Sequence, residues 1–213
     1  MMDTAARASN ILARLRVVFP NPVPALTFTS AYELLVATVL AAQCTDQRVN
    51  LVTPEFFRRW PDPTALARAA VPEVEEVVHS TGFFRQKAKN LVAAAQRMVE
   101  HHGGAVPDSM EELTALPGVA RKTANIVLSN ALGKHEGIAV DTHVRRLSFR
   151  LGLTTSDNPI VIEKDLMPLF PRQAWGEINH LLVMFGRETC QARKPRCGDC
   201  VLGDICPRLG LRP

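Results

Sequence analysis

A lysine at the start of a predicted helix has the clearest chemical potential in this chain. The stretch Leu116-Pro117-Gly118-Val119-Ala120-Arg121-Lys122 predicts a tight Pro-Gly turn that leads into a helix. The first turn of a helix presents unpaired backbone N–H groups and partial positive charge, so this hairpin can hold a phosphate beside the Lys122 amine. The arrangement is typical of an enzyme that acts on nucleic acid.

A nucleophilic role for Lys122 requires a lowered pKa. At the ordinary lysine pKa of about 10.4, only about one amine in 2,500 is neutral at pH 7. The positive end of the helix dipole disfavours the ammonium form, and desolvation must supply the rest of the shift. The alternative is an ordinary exposed helix lysine, which frequency alone favours.

Asp141 is the second candidate, in Ile138-Ala139-Val140-Asp141-Thr142-His143. An aspartate before an apolar helical pattern is typical of an N-cap. The cap is compatible with chemistry, because a carboxylate that faces a pocket can also accept a proton from an amine.

Four of the five cysteines lie close together, as Cys190-x6-Cys197-x2-Cys200-x5-Cys206, while Cys44 is remote. Four thiolates in so short a segment can bind one metal centre, either a tetrahedral zinc ion or a [4Fe-4S] cluster. Zinc sites more often use two closely spaced pairs, so the spacing favours the cluster and leaves zinc and unliganded thiols as alternatives.

Three basic residues, Arg193, Lys194 and Arg196, lie between the first two of these cysteines. A loop fixed by a metal centre would hold them in a set projection, where they could bind DNA phosphate. A solvated run of charge is the alternative interpretation.

The elements that must position these residues are all predicted to be helices. Apolar residues recur at helical spacing throughout, and no segment alternates with period two. Ser30 with Glu33 predicts a capping box for a buried helix, Thr53-Pro54 and Ser109-x-x-Glu112 predict two further helix starts, and Gly82 precedes a long helix that Gly103 closes. The sequence therefore predicts an all-α fold.

Composition narrows the class of protein. The 213 residues include 46% hydrophobic and 22% charged residues, as in soluble globular proteins, and the net charge of +4 mildly favours a polyanionic partner. Residues 1–20 lack the apolar run of a secretory signal, and the longest apolar stretch, residues 34–42, is far shorter than the roughly 20 residues of a membrane span. We expect a cytoplasmic protein without a membrane partner, in which a reducing environment disfavours disulfides.

Taken together, these motifs resemble one family. Leu116 to Ala124 is similar to a helix-hairpin-helix motif, Val140-Asp141-Thr142-His143 to the segment with the family's catalytic aspartate, and Cys190 to Cys206 to its cluster loop. In this order they resemble the endonuclease III family of iron-sulfur DNA glycosylases and AP lyases. The resemblance covers nearly the whole chain, from about residue 10 to Cys206.

The resemblance implies two helical lobes with a DNA-binding groove between them and a C-terminal [4Fe-4S] loop. Residues 24–134 would form a six-helix barrel lobe with the hairpin, and residues 1–23 plus 135–213 the cluster lobe, in which Cys190, Cys197, Cys200 and Cys206 ligate the cluster. Lys122 would attack the sugar C1′ of a flipped, oxidised pyrimidine nucleotide and form a Schiff base, with Asp141 assisting. The implied partner is double-stranded DNA with a damaged pyrimidine or an abasic site, bound by a monomeric, bacterial-type protein that associates with the nucleoid.

The same resemblance implies the DNA contacts. Backbone N–H groups near Gly118 and Ala120 would bind phosphate, Gln43 would fill the vacated base stack, and Phe83 would be the wedge at the kinked base step. The alternatives are that Gln43 is a polar residue at a helix end and Phe83 a core aromatic.

Two positions depart from the family pattern. The hairpin usually reads Gly-Val-Gly, and Ala120 replaces its second glycine; if this position requires positive φ, alanine costs about 1 kcal/mol and loosens phosphate binding. Phe83 stands where the best-known members have leucine, which bears on lesion preference.

Two rival functions are an adenine mismatch glycosylase and a non-catalytic DNA-binding iron-sulfur module. The adenine glycosylase shares the cysteine spacing and the aspartate, but it lacks the hairpin lysine and carries a further C-terminal domain. A binding module would have no use for the amine of Lys122 with a carboxylate downstream. Lys122 is thus the discriminating residue for both rivals.

Overall fold

A computed structural model describes residues 2–211, and this part of the chain is helical, without any β-strand. The prediction of an all-α fold is confirmed. The α-helices of the described residues are, in chain order, α1 (Thr4–Val18), α2 (Ala31–Leu40), α3 (Asp46–Arg59), α4 (Pro63–Ala67), α5 (Val71–Val78), α6 (Phe84–His102), α7 (Met110–Ala115), α8 (Arg121–Ala131), α9 (Thr142–Arg150), α10 (Pro159–Leu166) and α11 (Trp175–Glu188). Short 3₁₀ helices occupy residues 79–81, 167–169 and 172–174. None of the described helices combines the length and the apolar composition that a membrane span requires.

The chain forms two compact units. Pro24–Glu136 form a central unit that contains α2 to α8, while the residues up to Val23 and those from Gly137 onward form a terminal unit with α1 and α9 to α11. Each unit has its own cluster of buried apolar side chains.

Helix α2 is the centre of the core of the central unit. Ser30 caps it, because the Ser30 hydroxyl accepts a hydrogen bond from the Glu33 N–H at 3.2 Å. The Glu33 carboxylate bonds the N–H of Thr29 at 2.6 Å, one residue earlier than a regular capping box requires. Eight of the residues of α2 are buried, as its nearly continuous apolar sequence predicted.

The predicted helix start at Thr53-Pro54 is wrong. Helix α3 already begins at Asp46, where the Thr45 hydroxyl accepts from the Arg48 N–H at 3.2 Å, and it continues through Pro54. Proline removes one intrahelical hydrogen bond, but burial of Val49 and Phe56 on either side of it holds the helix against the core.

Helix α6 is the longest helix of the central unit and begins and ends as predicted. It follows Gly82, and Gly103, with φ +59°, ends it in the left-handed conformation. Helix α6 packs against α4 and α5, and this packing fixes its position directly after Phe83.

Helix α1 anchors the cysteine segment within the terminal unit. Asp3 caps α1, and Ile11 and Leu15 are fully buried. The Arg14 guanidinium donates to the Val201 carbonyl at 2.8 Å and to the Asp204 carboxylate at 2.9 Å. The cysteine-rich segment is therefore tied to the N-terminal helix.

Candidate functional site

The hairpin between α7 and α8 has one residue that demands glycine. Gly118 has φ +79°, and a Cβ atom there would lie 2.7 Å from the Asn90 amide nitrogen. The Val119 N–H donates to the Leu116 carbonyl at 3.1 Å, and both side chains are buried. These contacts fix the backbone that leads into α8.

Ala120 adopts an ordinary extended conformation. It is the N-cap of α8, with φ −86° and ψ 163°, and its side chain makes no capping bond. The condition under which alanine would be strained here, a positive φ, is therefore not met. The first N–H groups of α8 have no side-chain cap at this position, so they can bind an anion.

Lys122 is the second residue of α8 and is exposed. It lies in the first turn of the helix, whose N–H groups have no side-chain cap at Ala120. The hairpin thus places a cationic side chain in the same helical turn as backbone N–H groups without a side-chain cap, and phosphate binding there stays a prediction.

Asp141 is the N-cap of α9, as predicted. One carboxylate oxygen, Oδ1, accepts from the N–H groups of His143 and Val144, each at 2.8 Å. The other, Oδ2, lies 3.3 Å from the His143 ring nitrogen Nδ1. The cap thus fixes one oxygen and leaves the second facing titratable groups.

Two polar residues of α11 support this segment, and sequence reasoning missed both. The buried Asn179 amide donates to the Ala139 carbonyl at 2.7 Å. Burial lowers the pKa of His180, while the Asp141 carboxylate raises it. Both residues lie on an apolar helix with no local motif, so no sequence signal marked them.

Cys190, Cys197, Cys200 and Cys206 line one shared cavity. Within the described residues, no group of three or more His, Cys, Asp or Glu side chains is arranged to hold a metal ion directly. The four thiols instead surround a shared space. The structure therefore brings the four predicted ligands together, and it leaves Cys44 in the central unit.

The surroundings of the sulfur atoms suit thiolate ligands. The Leu202 N–H donates to the Cys200 sulfur and the Arg208 N–H to the Cys206 sulfur, each at 3.4 Å. Burial raises the pKa values of these two thiols, so a bound metal centre is needed to keep them ionised. Hydrogen bonds of this kind stabilise the sulfur ligands of iron-sulfur clusters.

Arg150 organises the start of the cysteine segment. The residue is only 8% exposed, and its guanidinium donates to the carbonyls of Gln191 at 2.8 Å and Ala192 at 2.7 Å, and to the Cys190 sulfur at 3.4 Å. Sequence reasoning missed this residue, because its partners lie about 40 positions later in the chain.

The three basic residues of the cysteine segment differ in their surroundings. Arg193 and Lys194 are exposed. Arg196 folds back, so that its guanidinium donates to the Glu188 carbonyl at 3.1 Å at the end of α11. Arg196 thus closes the loop onto the helix, while the other two project from it.

Gln43 and Phe83 are exposed residues in left-handed backbone conformations, with φ +54° and φ +48°. Phe83 is 66% exposed, so the alternative that it is a core aromatic is wrong. Gln43 lies beyond the end of α2 in the loop before α3. Both side chains belong to the central unit and are free to contact a ligand.

Comparison with known proteins agrees with this geometry. Residues 36–172 match the HhH-GPD superfamily of base excision DNA repair proteins, and residues 190–206 match the iron-sulfur binding domain of endonuclease III. Endonuclease III from Synechocystis is 52% identical, over 97% of this chain and 94% of that protein, and the Escherichia coli enzyme is 39% identical, over 94% and 95%.

The backbone is also similar to that of solved endonuclease III structures. A solved structure of a trapped endonuclease III–DNA covalent intermediate superimposes with a TM-score of 0.91, at 38% identity over 97% of both chains. A non-covalent endonuclease III–DNA complex superimposes equally well. With its hairpin, capped aspartate and cysteine cavity in the family's order, the chain belongs to the endonuclease III family of the HhH-GPD superfamily.

Proposed function

We propose that Lys122 is the Schiff-base nucleophile of this chain, acting on oxidised pyrimidines and abasic sites in double-stranded DNA. Membership of the family makes the protein a base excision repair DNA glycosylase with AP lyase activity. The single observation that carries the assignment of Lys122 is its exposed amine in the first turn of α8, directly after the rigid hairpin at Gly118.

The chemistry proceeds by nucleophilic substitution. The neutral amine of Lys122 attacks C1′ of the damaged nucleotide, the glycosidic bond breaks, and its electron pair leaves with the base, which takes up a proton. Opening of the sugar ring gives a Schiff base between Lys122 and C1′. Loss of a C2′ proton then expels the 3′ phosphate by β-elimination, and hydrolysis of the Schiff base frees the amine.

We assign Asp141 the roles of proton acceptor and electrostatic stabiliser. Its Oδ1 is committed to the N–H groups at the start of α9, and this fixes the orientation of the carboxylate. Its Oδ2 is then available to accept the proton of the attacking amine and to stabilise positive charge on the sugar.

In this proposal, DNA binding uses contacts to the phosphate backbone and side chains that enter the base stack. The N–H groups near Gly118 and Ala120 hold a phosphate, and Arg193 and Lys194 also bind the DNA backbone. Gln43 fills the space that the flipped nucleotide vacates, and Phe83 enters the adjacent base step as a wedge. Exposure of both side chains supports these two roles.

The protein carries a [4Fe-4S] cluster, as its iron-sulfur domain indicates. We propose that Cys190, Cys197, Cys200 and Cys206 are the ligands. When bound, the cluster supplies a rigid cross-link among the four thiolates. Arg150 and the N–H donors orient the ligands, and the resulting loop presents Arg193 and Lys194 to DNA.

We further propose that the protein acts as a monomer in the cytoplasm, on the DNA of the nucleoid. The two endonuclease III–DNA structures support DNA as the partner.

Borohydride trapping tests the proposal. The wild-type protein is incubated with abasic-site duplex DNA and reduced, which converts the Schiff base into a stable covalent adduct. We expect an adduct from the wild type and from Lys164→Gln, which removes an equally exposed helix lysine, and none from Lys122→Gln. Lys122→Gln should still bind the DNA.

Two outcomes would contradict the proposal. A wild-type protein that forms no adduct would rule out the lyase mechanism, and an undiminished adduct from Lys122→Gln would assign the nucleophile to another amine.

A further inference from the structure

Lys87, in the first turns of α6, joins two separate segments of the central unit. The residue is 5% exposed, and its ammonium group donates to the Leu40 carbonyl at 2.8 Å and to the Thr81 carbonyl at 2.7 Å. Leu40 ends α2, and Thr81 ends the 3₁₀ helix of residues 79–81. Carbonyls at the C-terminal end of a helix lack hydrogen-bond partners within that helix. Lys87 donates a hydrogen bond to one such carbonyl of each of these two helices.

Each of these carbonyls lies just before a strained residue. The loop of residues 41–45 begins after Leu40 and carries Gln43, and Phe83 follows Thr81 by two positions. Both residues have positive φ, which non-glycine residues rarely adopt. Such conformations persist only where the surrounding structure holds them.

Burial of an amine at this position is otherwise unfavourable. Burial lowers the pKa of Lys87, and the Cys44 side chain raises it. An apolar side chain of the same length would fill the space without that penalty, so the two carbonyl bonds are the advantage that the amine offers.

We propose that Lys87 is a positioning residue that clamps the loop of residues 41–45 to the segment of residues 79–83, so that Gln43 and Phe83 enter DNA together. The proposal rests on the insertion roles of these two residues in the proposed function. Lys87 itself does not contact DNA, because its side chain is buried and its amine is directed at the two carbonyls.

The experiment measures insertion directly. The probe is a duplex with an abasic-site analogue opposite 2-aminopurine, whose fluorescence rises when the opposite base unstacks. Lys87→Met keeps the length of the side chain and removes the donors, and Lys89→Met is the control, because Lys89 is exposed two residues later on the same helix. Base excision is measured on a second duplex, which carries an oxidised pyrimidine. We expect Lys87→Met to reduce the fluorescence rise and to slow single-turnover base excision by roughly tenfold to a hundredfold, and Lys89→Met to change neither by more than about twofold.

A double-mutant cycle shows whether Lys87 acts through the two loops. In a Gln43→Ala, Phe83→Ala background nothing remains for Lys87 to position, so adding Lys87→Met should slow excision by less than about twofold. If Lys87→Met does not fold, the same cycle is run with Lys87→Arg, whose planar guanidinium presents its N–H donors in a different geometry from the ammonium, and the same loss of effect is expected.

The result that overturns the proposal is an equal slowing in both backgrounds, or a lower melting temperature with unchanged fluorescence and excision at saturating protein. Either outcome assigns Lys87 to general stability. Comparison of the Gln43→Ala, Phe83→Ala variant with the wild type separates this result from a failure of the proposed insertion roles, since without such roles these two substitutions alone would leave fluorescence and excision unchanged.

Discussion

Replacing Gly118 by alanine should destabilise the central unit by about 2 to 5 kcal/mol. A left-handed backbone costs a non-glycine residue about 1 to 2 kcal/mol. The new Cβ would also lie 2.7 Å from Nδ2, 2.9 Å from Cβ and 3.1 Å from Cγ of Asn90, and overpacking of this kind costs about 1 to 3 kcal/mol. Movement of Asn90 would in addition stretch its 2.7 Å hydrogen bond from Gln86.

The assay must report on the central unit alone. Trp60 is buried in the central unit, and the chain's second tryptophan, Trp175, belongs to the terminal unit. In a Trp175→Phe background, thermal unfolding followed by tryptophan fluorescence therefore reports the core next to the hairpin. For a chain of this size, Gly118→Ala should lower the midpoint by roughly 4 to 20 °C.

Two matched variants separate the causes. In an Asn90→Ala background the contacts with Nδ2 and Cγ are absent, so Gly118→Ala should cost about 1 kcal/mol less there. Ala120→Gly should change stability by less than about 0.5 kcal/mol, because φ at this position is already favourable for alanine. A Gly118→Ala variant as stable as the parent would refute the reasoning, as would a stabilisation above about 1 kcal/mol by Ala120→Gly.

Three further predictions concern catalysis, the cysteine cavity and pH. Asp141→Asn should slow single-turnover excision by roughly a hundredfold or more, with a melting temperature close to that of the wild type, because asparagine caps helices as well as aspartate does; an unchanged rate would remove Asp141 from the mechanism. Arg150→Met should accelerate the loss of visible cluster absorbance in air, since the Gln191 and Ala192 carbonyls and the Cys190 sulfur lose their Arg150 hydrogen bonds; equal decay rates would contradict this. Hydrogen bonds from Arg58, and secondarily from Arg59, lower the pKa of the Glu55 carboxyl from 4.5 to about 2. The small stabilisation from these exposed pairs is therefore fully present above pH 4.5 and is lost as the pH falls through about 2. Titration of the Glu55 carboxyl by carbon-13 NMR should give a midpoint near pH 2, and a midpoint near 4.5 would show that the pairs do not form in solution.

The parts of the fold that the sequence predicted are those with local causes. The caps at Ser30, Ser109 and Asp141 act on N–H groups two or three residues away, so residue types at fixed spacing are enough to identify them. The cysteine spacing is informative for the same reason, because all four thiols lie within one short segment. Pro54 misled the prediction because tertiary packing, which local pattern does not contain, keeps α3 continuous.

The parts that the sequence could not predict depend on distant partners. Lys87 bonds a carbonyl 47 positions earlier, and Arg150 bonds carbonyls about 40 positions later. In the sequence both are ordinary basic residues on amphipathic helices, whose expected place is the surface. Only the fold reveals that each is buried and that each fixes a loop.

A glycine in the hairpin motif can be required for either of two reasons, and the structure shows which reason applies at each position. A Gly-x-Gly pattern does not tell which glycine is needed for its backbone angle and which for close approach to a ligand. Here the positive φ and the crowding by Asn90 both fall on Gly118, while residue 120 has extended backbone. In this chain, therefore, residue 120 does not need to be glycine for its backbone angle. In the proposed phosphate contact near Gly118 and Ala120, a cost of Ala120 would arise from its methyl group beside bound DNA, so it would lower the affinity for phosphate and leave the stability of the free protein unchanged.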